Sequence, residues 1–238
     1  MVDTSWDYNL FIESMDKKVE IIFENDDFLV VNKPSGMTTT KEKRNEVDTL
    51  EDFLSVERKN NLLRNGIVHR LDKGTSGLIL VAKNEKSLNN FKNQFKKRTV
   101  FKKYYCLVCG STSTEGSVDW PIERSKFGFG KFGVGVDGKR ALTEFRLIGR
   151  YSRNNKKYSL LEINLKTGRT HQIRVHMSYL RWPLVGDALY GGETDILKRP
   201  FLHAYELEVD NPTTNKRIQF KIPLPNDLKE HLGFYEKE

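Results

Sequence analysis

The chain has 238 residues, of which 37% are hydrophobic and 14 are Phe, enough to bury roughly three quarters of the unfolded surface and to exclude a disordered polymer. Lys and Arg number 40 against 32 Asp and Glu, a net charge of +8 that favours polyanionic partners. No run approaches the roughly 18 apolar residues of a membrane span, so no membrane partner is expected.

The opening residues, MVDTSWDYNLFIESMDKK, carry three Asp and one Glu, which fits neither a secretory signal nor an Arg-rich transit peptide. A cytoplasmic location is the expectation, or an organellar one if a presequence has been cleaved. Next, IIFENDDFLVVNKPSG reads as two short strands around an Asn-Asp-Asp turn, closed by Pro34 and Gly36. Residues 38–47 are polar and read as loop. Apolar residues at 50, 53, 54 and 62 suggest a helix over 49–63.

Leu78 to Ala82 is an unbroken apolar run, hence a strand buried on both faces. Asn84 can cap a following helix on which Leu88, Phe91 and Phe95 share one side. Val100–Val108 returns to strand. Its two cysteines, Cys106 and Cys109, form the only C-x-x-C, but residues three apart on a strand face opposite ways and no second pair completes a zinc site, so both read as structural thiols. Ala141–Ile148 and Tyr158–Leu165 form another strand pair. Thr170 can cap a short helix ending at Tyr179, and Leu202–Val209 with Arg217–Ile222 make a last hairpin. Strands outnumber helices, so the fold class is α+β, a largely antiparallel or mixed sheet with flanking helices.

Several motifs are tempting and fail on context. FGFGKFGVGVDGK holds a literal G-x-G-x-x-G at 128, 130 and 133, but no helix follows to receive a pyrophosphate; it reads as a flexible hairpin loop. His171 and His176 are five apart, which on a helix turns them away from one another, and no neighbouring carboxylate has metal-ligand spacing. Neither metal nor cofactor is expected. Ser76 lacks the nucleophile elbow of serine hydrolases.

Between Lys83 and Lys103 stand eight Lys or Arg against one Glu, leading into FKKYY. Cations interleaved with aromatics suit RNA, whose phosphates need charge and whose unstacked bases need a π-face. The stretch LKTGRTHQIRVHMSYLRWPLVGDALYG gathers Arg169, His171, Arg174, His176 and Arg181 around a helix start, the arrangement of a polar cleft wall and one that favours anions. In GIVHRLDKGTSGLILVAKN, His69, Arg70, Asp72 and Lys73 stand at the mouth of the apolar strand.

Three of these segments together resemble the RluA-type pseudouridine synthases, which isomerise specific uridines in ribosomal or transfer RNA: HRLDKGTSGLILVAKN, KKYYCLVCG and GRTHQIRVHMSYLRWPLVGDALYG. FLVVNKPSGM and GKRALTEFRLI add weaker support, and the likeness runs in consistent order from about residue 20 to 225. The resemblance implies a single catalytic domain over 20–238 behind an N-terminal extension of residues 1–19, with a central cleft and no cofactor; because only some 20 residues precede the match, the S4-type RNA-binding domain of many relatives is expected to be absent. It also implies that Asp72 is the catalytic carboxylate, at the rim of a cleft floored by the apolar strand. Tyr104 is placed against the uracil ring, and Arg70 enters the RNA stack where the base has flipped out. His69, Thr75, Arg169, His171 and Gln172 lie in the matched motifs and are carried over as substrate-binding residues. A partly desolvated carboxylate needs a cation, and Arg174 is the candidate partner of Asp72.

The chain departs from the family where Arg181-Trp182 replaces the usual glycine between helix and proline, and where Ser-Gly-Met-Thr-Thr-Thr replaces a His-Pro ending; both are read as affecting substrate choice. Two other classes compete. A catalytically silent RNA-binding or ribosome-assembly protein could share the fold, although it would have no reason to preserve Asp72. A DNA-binding domain would need a groove-reading helix, and the Lys83–Lys97 segment presents only Lys, Asn and Gln outward, so no DNA partner is expected. The protein is read as a monomer acting on RNA.

Overall fold

The structure is a computed structural model that describes residues 19–41, 47–58, 62–126, 128 and 130–238. Most of the N-terminal extension, the middle of the 38–47 loop, the tail of the 49–63 helix, and Phe127 and Phe129 of the glycine-rich stretch lie outside the described residues. The chain divides into two compact units between Lys92 and Asn93.

In the first unit, β1 (Glu20–Glu24) and β2 (Phe28–Lys33) run antiparallel. Asn25 makes the turn between them: its Oδ1 accepts from the amides of Asp27 and Phe28, both at 2.9 Å, the local bond that makes Asn a turn former. Helix α1 (Leu50–Arg58) opens on a capping box, with the Thr49 hydroxyl accepting from the Asp52 amide and the Asp52 carboxylate accepting from the Thr49 amide. It stops short of the expected Leu63. Leu62 is extended, and Arg64 and Asn65 take left-handed backbone in the 3₁₀ turn Leu63–Gly66. Gly66 closes that turn: at φ +83° a β-carbon would lie 1.9 Å from the carbonyl oxygen of Ala82, so only glycine permits the approach.

Strand β3 (Ser76–Ala82) pairs antiparallel with β2 from Phe28↔Ala82 to Lys33↔Gly77. All seven of its residues are buried, as the apolar run requires. Helix α2 (Glu85–Lys97) starts at Asn84, whose Oδ1 accepts from the Ser87 amide at 2.8 Å. Leu88 and Phe91 are buried, and the Phe91 ring meets Phe28 edge-on at 5.3 Å.

The second unit contains β4 (Phe101–Cys109), β5 (Glu115–Asp119), β6 (Ile122–Arg124), β7 (Phe132–Val134), β8 (Leu142–Arg153), β9 (Lys156–Leu165), α3 (Gln172–Tyr179), β10 (Leu202–Asp210), β11 (Arg217–Lys221), α4 (Asn226–Leu232) and β12 (Glu236–Lys237). Its sheet runs β11-β10-β4-β9-β8, with β5 and β12 sharing the outer edge of β8. Strands β6 and β7 form the hairpin expected around the glycine-rich loop. The β8–β9 hairpin turns at Asn154-Asn155, both in left-handed backbone, a conformation Asn tolerates better than most residues. A core of Leu107, Tyr158, Val185, Phe201, Leu228 and Tyr235 lies within this unit. Cys106 is fully buried and Cys109 half-buried, both as free thiols; burial pushes the Cys106 thiol well above its usual pKa.

Among the described residues, strand pairs within each unit are all antiparallel and four α-helices accompany them, the α+β class expected. No described helix is long and apolar enough to cross a membrane.

Candidate active site

The loop that carries Asp72 is fixed by the chain segment after β2. The Thr39 hydroxyl donates to the carbonyl of Leu71 at 2.8 Å and accepts from its amide at 3.1 Å. Gly36 donates its amide to the carbonyl of Lys73 at 2.8 Å, and the Ser35 hydroxyl donates to that of Gly74 at 2.9 Å. Within the loop, the amide of Thr75 donates to the carbonyl of Asp72 at 2.9 Å, closing a tight turn. His69 Nε2 accepts from the amide of Leu80 at 2.9 Å, so the ring is tied to β3 and held with Nδ1 as its protonated nitrogen.

Burial sorts the side chains of this loop. Leu71 and Thr75 are buried, Asp72 and His69 half-buried, and Arg70 and Lys73 exposed. The alternation puts an acid at the boundary between core and solvent on a backbone with little freedom. Beneath it, Lys33 is fully buried, its ammonium donating to the carbonyls of Pro34 and Met37, both at 2.8 Å. Lys33 therefore shapes the turn that supplies Ser35, Gly36 and Thr39. The threonine run read as affecting substrate choice holds the Asp72 loop in place. Three adjacent loop threonines, Thr38, Thr39 and Thr40, are all buried; the run of hydroxyls was visible in the sequence, but the burial that gives it this role was not.

In the second unit, Tyr104 lies on β4 between Ala204 of β10 and Ile163 of β9 and is buried. The Gly-Arg-Thr-His-Gln-Ile-Arg segment forms the turn from β9 into α3. Thr170 does not cap that helix, contrary to expectation. His171 occupies the cap position in left-handed backbone, φ 56°, without a side-chain cap bond. Gln172 does the fastening instead. Its Oε1 accepts from the Thr167 hydroxyl at 2.7 Å and the Arg169 amide at 3.0 Å, and its Nε2 donates to the Leu142 carbonyl and the Thr143 hydroxyl, both at 3.0 Å. A buried amide satisfied on both ends welds the turn to β8.

The five residues read as one polar wall take different places on folding, although His171 and Arg174 both meet Tyr190. Arg174 is buried and grips Asp187, with Nε to Oδ2 at 2.7 Å and Nη2 to Oδ1 at 2.8 Å, while its guanidinium lies 4.9 Å from the centre of the Tyr190 ring. His176 is fully buried between the Thr143 hydroxyl (2.8 Å) and the carbonyl of Trp120 (3.0 Å), and burial lowers its pKa, so it acts as a packed neutral core histidine. His171 shares a 2.9 Å hydrogen bond with the Tyr190 hydroxyl. Arg169 donates from Nε to the Arg140 carbonyl at 3.1 Å. Arg181 is exposed. Trp182 packs edge-on against Phe145 at 5.9 Å, a role inside the fold.

With this geometry in place, comparison with known proteins is direct. Residues 27–179 match the RNA pseudouridylate synthase family, a span that encloses both the Asp72 loop and the Arg174 helix. The chain is 40% identical over 229 residues to the uncharacterized RNA pseudouridine synthase YlyB of Bacillus subtilis, covering 93% of this chain and 74% of that protein. It is 41% identical over 203 residues to ribosomal large subunit pseudouridine synthase D of Borreliella burgdorferi, covering 81% of this chain and 61% of that protein. Among solved structures it resembles human RNA pseudouridylate synthase domain containing 1, with a TM-score of 0.76 and 28% identity, covering 93% of this chain and 89% of the human one.

Proposed function

The chain belongs to the RNA pseudouridylate synthase family, an isomerase family, and we propose that it converts uridine to pseudouridine in large-subunit ribosomal RNA, with Asp72 as the catalytic carboxylate. The choice of RNA rests on relatives such as the Borreliella burgdorferi protein, named for the large ribosomal subunit. The role of Asp72 rests on one observation: a half-buried acid on a turn whose backbone is bound by Ser35, Gly36 and Thr39. Backbone held by several hydrogen bonds is what precise placement of a reacting group requires.

The chemistry needs no co-reactant. The bond from uracil N1 to the ribose C1′ breaks, the free base turns, and C5 bonds to C1′; C5 gives up a proton and N1 gains one. A carboxylate serves the opening step either by attacking C1′ or by taking the C2′ proton to start an elimination. Tyr104 stacks on the base, and its hydroxyl is suited to removing the C5 proton. Arg174 contributes a fixed positive charge to the reaction, held in one orientation by its fork to Asp187. Arg70, exposed beside Asp72, fills the space vacated by the flipped nucleotide, whose extraction costs a few kcal/mol. Arg169 and His171 line the RNA-facing turn, while Gln172, Thr75 and His69 act by holding the two loops in shape.

The test is Asp72→Asn. Product formation on an unmodified ribosomal RNA transcript should vanish while RNA binding persists, because the Asp72 hydrogen bond that shapes the turn comes from its backbone. Undiminished turnover by the variant would refute the role of Asp72. Mapping pseudouridines in ribosomal and transfer RNA from cells with and without the protein identifies the target. No lost site would favour the silent RNA-binding reading.

A further inference from the structure

Strand β4 presents two faces that treat their lysines differently. Phe101, Lys103 and Tyr105 alternate onto one side and Lys102, Tyr104 and Cys106 onto the other. On the first side every cation has an acid. Lys103 lies 3.8 Å from Glu162 and 3.7 Å from Glu206, Arg146 bonds Glu162 at 3.1 Å, Lys221 reaches Glu206 at 3.4 Å, and Arg217 reaches Glu208 at 3.4 Å.

Lys102 has no such partner. Among the described residues no carboxylate pairs with it; its ammonium lies 5.5 Å from the centre of the Phe95 ring, and 3.7 Å from where a β-carbon on Gly168 would stand. Desolvation alone lowers its pKa to about 8. A desolvated, unpaired ammonium destabilises a fold, and one residue along the same strand the chain supplies two glutamates. The place is also specific. Gly168 opens the turn that Gln172 fastens, and it is followed by Arg169, which likewise makes no ion pair among the described residues. The Lys102 ammonium therefore stands beside a residue without a side chain, which Arg169 follows in the chain, on the face of β4 that carries Tyr104.

We propose that Lys102 is a binding residue for an RNA phosphodiester, its ammonium contacting the backbone next to the nucleotide that Tyr104 receives. The assignment rests on the uridine-isomerase reading, since it takes RNA as the anion. Gly168 leaves room for a phosphate to approach the amine, and the incoming charge supplies what the fold withholds.

The experiment uses Asp72→Asn as the parent, so that binding is read without turnover, and an unmodified transcript of bacterial large-subunit ribosomal RNA as the probe. Affinity is measured against KCl concentration for the parent, for added Lys102→Met, and for added Lys103→Met as a control on the opposite face. One lost phosphate contact flattens the slope of log K against log salt by about 0.7 to 0.9. Lys102→Met should show that flattening, Lys103→Met should not, and the thermal midpoint of Lys102→Met should equal or exceed the parent's. An unchanged slope, an equal change in both variants, or affinity lost together with stability would each overturn the assignment to Lys102. Failure of the parent itself to bind the transcript would instead overturn the uridine reading, and this site with it.

Discussion

Arg174 and Asp187 face each other through two parallel hydrogen bonds of 2.7 and 2.8 Å, with 10% and 1% of their side chains exposed. Such a fork is rigid as well as strong, because a planar guanidinium meets a planar carboxylate in one orientation. Asp187 also accepts from the Tyr190 amide and so fixes the turn after Leu184. The pair therefore sets where the guanidinium of α3 points before any substrate arrives.

Removing the charge from one half of a buried fork weakens the whole fork. Asp187→Asn keeps the shape and one acceptor but takes away the carboxylate that the buried Arg174 guanidinium grips, which costs about 3 to 5 kcal/mol. Urea denaturation of the variant should show a loss of that size. A loss under about 1 kcal/mol, the level of a surface ion pair, would mean that water reaches the pair.

Thr39 is the fastening point of the Asp72 loop. Its hydroxyl makes both bonds to the backbone of Leu71, the residue before Asp72. Thr39→Val fills the same space but orphans a buried amide and a buried carbonyl, at about 1 to 3 kcal/mol for each group left unpaired. The catalytic consequence is distinct from the loss of stability. On the proposed role of Asp72, kcat should fall with the loop loosened while KM for RNA stays near the parent value, because Thr39 holds the loop that carries Asp72 and is itself fully buried. Steady-state kinetics at a temperature well below the unfolding transition separates the two effects; a change confined to KM would place Thr39 in substrate binding.

Local sequence carried much of this fold because local physics does. The Leu78–Ala82 run is a strand because all of β3 is enclosed, and Asn84 announces α2 because its side chain bonds the helix's own amide. The Asp72 loop was legible as a motif of charge beside apolar strand. What stayed hidden depends on partners far along the chain. Strand β5 buries only Val118 and exists because β8 offers it an edge. His176 looks like a site histidine until Thr143 and Trp120 are folded around it. With 40 cations and 32 acids, nothing local says that Arg174 chooses Asp187. Thr170 and Gln172 are both plausible helix fasteners by type, and only the position of Leu142 and Thr143 selects Gln172.

Lys102 gives the protein a pH signature with a definite sign. Its folded pKa is about 8 against an ordinary 10.5, so between those values the unfolded chain holds a proton that the folded chain has released. Stability then rises with pH across that window, approaching a gain of roughly 3 kcal/mol from this group. Tyr151, Tyr158, Tyr205 and Tyr235, whose pKa values burial raises first of all, oppose the trend above about pH 10. The clean measurement is a difference, the stability of Lys102→Met minus that of the parent, from pH 7 to 10. The advantage of the methionine variant should shrink as pH rises. A flat difference would show that the ammonium is hydrated in the folded state.

The end of α3 offers the opposite case, a strain that can be relieved. The helix closes with the amide of Trp182 donating to the carbonyl of Met177 at 2.9 Å and the amide of Arg181 donating to that of Ser178 at 3.0 Å. That is the double bond pattern of a helix ending in a left-handed residue, and Arg181 is that residue, with φ 66°. Left-handed backbone costs a residue with a β-carbon about 1 to 2 kcal/mol, while glycine adopts it freely. Arg181 is exposed and makes no ion pair among the described residues, so its side chain returns little of that cost within the fold. Arg181→Gly should therefore stabilise the protein by about 0.5 to 1 kcal/mol, the larger entropy of unfolded glycine taking back part of the gain. For a chain of this length that is a rise of about 1 to 4 °C in Tm. Arg181→Ala is the control, since it removes the same charge but keeps the β-carbon and should leave Tm near the parent value. Equal rises in both would trace the effect to charge rather than backbone, and a fall in the glycine variant would mean that the arginine stem holds Trp182 in its place against Phe145.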